Sequence, residues 1–182
     1  MEEHMNDYSD FLILARERYS VRSFKADAIG DEVIKKILTA GQLAPTACNR
    51  QPQRILVINS AEGLEKLRKC TECHFNAPMA MLVCYDRDDS WKRSYDGKDS
   101  GDIDASIVTT HMMLEAAALG VGTTWVMYFI PEAVKEEFSL PDSYEPVALL
   151  VMGYPSDEAK PYAGHTAKKA LEDTVSFNKF NI

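Results

Sequence analysis

The sequence predicts an α+β layer fold built as one domain, and three observations predict it. Helical and strand-like patterns are interspersed without regular strand–helix–strand alternation, which argues against a doubly wound parallel sheet. No Gly-x-Gly-x-x-Gly follows a strand; Gly120-Val121-Gly122 comes after a helical stretch instead. The chain of 182 residues has the length of a single domain, and no repeat, low-complexity tract or linker divides it.

Taken in order, a first helix is predicted from about Asp7 to Arg18, with Phe11, Leu14 and Ala15 on one face. Tyr19 to Phe24 breaks its period. A second helix runs from about Asp31 to Ala44, with Val33, Ile34, Ile37, Leu38 and Leu43 apolar, and Pro45 stops it. Arg54 to Asn59 reads as a buried strand. Ser60 can cap a short helix carrying Leu64 and Leu67. Met79 to Tyr85 is a second buried strand, and the charged stretch from Asp86 to Gly101 is a surface loop or lid.

The clearest helix spans Ile103 to Leu119. It is apolar on nearly every side, which places it at the centre of the fold or between subunits, and Gly120 ends it. Trp125 to Phe129 is strand-like. Pro131 opens a short helix with Val134 and Phe138 inward. Pro146 to Met152 is a third strong strand, closed by Gly153-Tyr154-Pro155. From Ser156 to Ile182 core residues are sparse until Leu171, Val175, Phe177 and Phe180. Such an arm docks on a partner subunit or folds back on its own domain.

Composition narrows the function. With 46% hydrophobic and 26% charged residues the chain can build an ordinary core without disulfide staples. The net charge of −8 argues against nucleic acid or an anionic membrane as the main partner. The polar, acidic start MEEHMNDYSD lacks a signal-peptide pattern, and no apolar run approaches the roughly 20 residues that span a bilayer. Cys48, Cys70, Cys73 and Cys84 are then expected as reduced thiols, and the protein in the cytoplasm.

Three islands could carry chemistry. Arg18, Ser20 and Arg22 alternate in RYSVRSF; in an extended segment they share a side, where two guanidinium groups and a hydroxyl suit a phosphate. Two exposed arginines on a loop is the plainer reading. Ala44 to Gln53 sets Pro45, Thr46, Asn49 and Gln51 between a helix and a strand, where amides can bond a heterocycle's edge; an ordinary turn explains it as well. In Leu119 to Phe129 two glycines allow close backbone approach to a ligand, and Thr123, Thr124 and Trp125 can line a flat pocket.

Together these islands resemble the nitroreductase family. The family's Arg-Arg/His-Ser-x-Arg/Lys segment corresponds to Arg18-Tyr19-Ser20-Val21-Arg22, and its Ala-Pro-Ser-x-x-Asn-x-Gln-Pro-Trp to Ala44 through Gln53. Its Leu-Gly-x-Gly-x-x-Trp is matched by Leu119 to Trp125, its Gly-Tyr/Phe-Pro by Gly153-Tyr154-Pro155, and its basic stretch before Leu-Glu-Glu by Lys168 to Asp173. The matches run over nearly the whole chain. Tyr19, Gln53 and Lys168 depart from the residues common there, and the lid region 86–104 is brief.

The resemblance implies a three-layer α-β-α sandwich with a mostly antiparallel sheet, forming a homodimer with exchanged C-terminal arms. It implies FMN between the subunits and NAD(P)H as reductant, with an organic acceptor such as a nitroaromatic or quinone. Arg18 and Ser20 with Lys168 would hold the phosphate, beside Tyr19. Arg22 would sit by N1 and O2 of the ring. Pro45, Thr46 and Asn49 would come from the partner's side. Backbone at Val126 and Met127, after Trp125, would approach N5, and Asn76 would contact the ring. A flavin carrier or sensor without turnover, or a relative with dehalogenase or flavin-destroying chemistry, stays open.

Other signals are weaker. Cys70-Thr71-Glu72-Cys73-His74 has the spacing of c-type haem attachment, but that chemistry belongs outside the cytoplasm, and incidental thiols are the simpler expectation. His4, His111 and His165 have no ligand spacing, so no metal site is expected. Asp102 and Asp104 read as N-terminal acids of the central helix. The flavin carries the chemistry in this reading, so no dedicated acid or base is assigned.

Overall fold

The computed structural model of the chain describes residues 11–180. At its centre four antiparallel strands pair in the order β1 (Gln53–Ile58), β2 (Met79–Asp86), β4 (Tyr144–Gly153), β3 (Gly122–Val126). β2 reads as an unbroken apolar run because both its faces are covered. Met79, Met81 and Val83 enter one core with Ile37 of α2 (Asp31–Gln42) and Val108 and Met112 of α4 (Gly101–Ala118). Ala80, Leu82 and Cys84 enter the other core, with Leu67 of α3 (Ala61–Cys70) and Val134 of α5 (Pro131–Glu137). Alternate residues of one strand therefore build both cores, and the architecture is the expected three-layer sandwich.

The local signals act as the sequence indicates. The Ser60 hydroxyl accepts from Gly63 N–H at 3.1 Å. Pro131 opens α5. Gly120, at φ 74°, ends α4: its N–H reaches Ala117 O and the N–H of Val121 reaches Ala116 O. That pair of bonds is a Schellman stop, which needs a left-handed residue. The first helix, α1, is described over Phe11–Glu17; the part expected from Asp7 to Asp10 lies outside the described residues.

Two boundaries differ for tertiary reasons. β3 runs from Gly122 to Val126, not from Trp125 to Phe129. Beyond Val126 the chain leaves the sheet to close over the end of α3, where the Thr71 hydroxyl donates to Tyr128 O and Ile130 N–H to Cys70 O. The second helix ends at Gln42, because Leu43 already caps it. The loop from Asp86 to α4 is tied down. Asp99 accepts from the Ser90 hydroxyl and from Gly101 N–H, both at 2.8 Å, and the backbones of Lys92 and Asp99 form an isolated antiparallel bridge.

Candidate active site

The segment after α1 runs beside β3. Val21 N–H donates to Thr123 O at 2.9 Å, and the Thr124 hydroxyl donates to Val21 O. This explains Gly122: a Cβ there would stand 2.6 Å from Val21 Cγ2. The glycine admits a neighbouring backbone, where the sequence suggests a ligand. Val21 is buried, while Ser20 and Arg22 border a depression of about 480 Å³ with Tyr19, Tyr162 and His165. Arg18 does not share it. Its N–H still donates to Leu14 O, so the helical turn persists, and Arg18 borders the adjoining depression with Tyr19, Gly122 and Thr123.

Arg22 lies over the Phe75 ring, 5.9 Å from its centroid, and Asn76 is the next residue in sequence. The tail arrives from the other side. His165 Nε2 is 3.0 Å from Arg16 O, and its ring meets Tyr19 edge-on at 6.3 Å. Lys168 Nζ donates to His165 O at 2.7 Å. The structure thus gathers Tyr19, Ser20 and Arg22 round one depression, with Lys168 bonded to its wall at His165 and Arg18 in the adjoining one. None of these three cations has a carboxylate partner among the described residues.

The loop carrying Pro45, Thr46 and Asn49 lies elsewhere. The Thr46 hydroxyl accepts from Gln51 N–H at 3.1 Å, and Cys48, Asn49 and Gln51 take positive φ near 51°. The loop is fastened to α4 by Asp104. Its Oδ1 accepts from Ala47 N–H at 2.9 Å and its Oδ2 from the Ser100 hydroxyl at 2.7 Å. At 2% exposed, Asp104 is a buried brace and more than a helix-terminal acid. Arg18 faces the far end of the same helix, beside Ala117. From Asp104 to Ala117 is about 20 Å at 1.5 Å per residue. One chain does not bring the two groups of residues together.

Trp125 is half-buried in β3, Val126 is buried, and Met127 beyond the strand is 71% exposed. Sequence reasoning missed Tyr162 and His165 as walls of the Ser20 depression. A single histidine in a tail carries no spacing signal, and only the folding back of the arm reveals it. It also passed over Phe75, and it read Asp104 only as a helix-terminal acid. The cysteines are free; Cys70 and Cys84 are buried, and burial pushes the Cys84 thiol up to about 12. Among the described residues no group of three or more His, Cys, Asp and Glu could hold a metal ion. No helix there is long and apolar enough to cross a membrane.

The three layers are those of the nitroreductase fold. The crystal structure of a nitroreductase family protein from Clostridium difficile 630 superposes with a TM-score of 0.89, is 44% identical, and covers 94% of this chain and 99% of its own. The chain belongs to the nitroreductase family, whose model, described as "Nitroreductase family", matches residues 15–78 and 71–154. An Archaeoglobus fulgidus relative, named among the NADH dehydrogenase/NAD(P)H nitroreductases, is 33% identical over 148 residues, 78% of this chain and 83% of its own. An FMN-dependent nitroreductase from Clostridium difficile R20291 has a TM-score of 0.76 at 26% identity, covering 93% and 100%.

Proposed function

We propose that the protein is a homodimeric, FMN-dependent oxidoreductase that passes reducing equivalents from NAD(P)H to an organic acceptor such as a nitroaromatic or quinone. The observation that carries this reading is the separation along α4. Arg18 stands beside one end and the loop of Pro45, Thr46 and Asn49 is fastened at the other, about 20 Å apart. A second copy with its α4 antiparallel to the first would bring each group against the other's complement, forming two equivalent sites. The outer face of α4 favours this: Ile103 is 51% exposed, and Ile107 and Thr110 line a shallow groove beside it. The apolar arm, with Leu171, Phe177 and Phe180 each more than three-quarters exposed, is then covered by the second copy.

The residues fit the cofactor. Arg18, Ser20 and Lys168 offer charge-assisted bonds to a phosphate in an acidic chain that otherwise repels one. Arg22 would offer a guanidinium to the ring's pyrimidine edge. Pro45, Thr46 and Asn49 of the second copy, with Asn76, offer neutral amides and a hydroxyl to the ring. Trp125, Val126 and Met127 would offer it backbone groups. When bound, FMN supplies two-electron transfer; the chain orients it and sets its electrostatics. The FMN-dependent neighbour and the relatives named NADPH-dependent oxidoreductase in Staphylococcus aureus support this reading.

The test is direct. The purified protein should be yellow, release FMN on denaturation, and oxidise NAD(P)H when a nitroaromatic or quinone is added. A colourless protein that also fails to take up FMN rules the flavin out. A yellow protein without turnover is a carrier or sensor. Thr110→Arg, which sets like charges near the proposed twofold axis, should give a monomer with weakened FMN binding.

A further inference from the structure

The segment joining α3 to β2 holds two non-glycine residues in the left-handed region in succession, Phe75 at φ 49° and Asn76 at φ 50°. Ala77 N–H closes the turn onto His74 O at 3.0 Å. Positive φ at both central positions is the type I′ arrangement, which glycine, asparagine and aspartate favour. Phenylalanine there is disfavoured by sterics, so the surroundings must hold it. Two contacts do so. Arg22 covers the Phe75 ring, and Asn76 N–H donates to His74 Nδ1 at 3.0 Å.

We infer that His74 is a positioning residue for the site: its Nδ1 holds the Phe75–Asn76 turn in place, and the turn in turn seats the Arg22 guanidinium. The inference rests on the flavin reading for its functional consequence, though not for the contact itself. To accept from Asn76, Nδ1 must be unprotonated, so the proton of the neutral ring is on Nε2.

His74→Leu removes the acceptor. His74→Asn keeps one, because an asparagine oxygen can accept from the N–H two residues on. The full-length wild-type and variant proteins are compared at pH 8 by two measurements: hydrogen-exchange protection of the Asn76 amide without added flavin, and the Kd for FMN. At pH 8, His74→Leu should lose that protection and bind FMN about fivefold more weakly, the factor left by one ordinary hydrogen bond. His74→Asn should match the wild type in both measurements. Equal Asn76 protection in the wild type and His74→Leu at pH 8, or an unchanged FMN Kd, overturns the inference. If wild-type protein takes up no FMN, the flavin reading fails, and the exchange measurement still decides the role of His74.

Discussion

Replacing Asp104 by alanine tests whether one buried carboxylate holds the second half of the site in place. The carboxylate accepts from Ala47 N–H and the Ser100 hydroxyl and is 2% exposed. A hydrogen bond to a charged group contributes about 1.5–3 kcal/mol. Ser100 is buried, so its hydroxyl loses its partner outright; Ala47 is only half-buried, and water can replace part of its bond. The expected destabilisation of Asp104→Ala is about 2–4 kcal/mol. Asp104→Asn keeps an oxygen for Ala47 N–H and should lose about 1 kcal/mol. Urea unfolding at one fixed protein concentration, followed by far-ultraviolet circular dichroism, measures both. FMN affinity should fall in the same order, since Pro45, Thr46 and Asn49 ride on the loop that Asp104 fastens. If Asp104→Ala unfolds within about 0.5 kcal/mol of the wild type, as an ordinary surface change does, the brace has been misread.

Arg22→Ala should lower the midpoint potential of bound FMN, because two-electron reduction leaves negative charge at N1 and O2. At an effective dielectric of about 20 a unit pair 4 Å apart interacts by about 4 kcal/mol before solvation, and about 1.4 kcal/mol already moves a two-electron potential by about 30 mV. Arg18→Ala should instead weaken FMN binding with little change in potential; spectroelectrochemistry showing the reverse means that the two roles are exchanged. Deleting the residues after Tyr162 removes His165 and Lys168 with the apolar arm, and should weaken both dimer and FMN binding. Sedimentation equilibrium and flavin fluorescence that both stay at wild-type values speak against the exchanged arm. Burial raises the Cys84 thiol from 9.0 to about 12. Iodoacetamide at pH 8 should therefore label exposed Cys48 and spare Cys84 until the protein is unfolded. The stabilising preference for the protonated thiol is complete below the unfolded value and fades as pH rises toward the folded one. The Cys84 contribution to stability should thus decline between about 9 and 12, and labelling of Cys84 at the rate of Cys48 in native protein contradicts its burial.

Much of this protein is decided by short-range chemistry and is legible in the chain. The run from Met79 to Tyr85 reads as a buried strand and is one, Ser60 and Pro131 mark helix starts, and Gly120 meets the left-handed demand of a helix stop. The family motifs were legible too, because each is a local string. What the sequence could not determine is every relation between residues far apart in it. Gly122 answers to Val21 across a strand pairing, and β3 ends at Val126 because Thr71 and Cys70 draw the chain away. Asp104 joins Ala47 across 57 positions, and His165 joins Arg16 across 149. Such pairings depend on which faces of helices and strands meet when the core closes. Periodicity states which face of an element is apolar, and only packing decides what it meets.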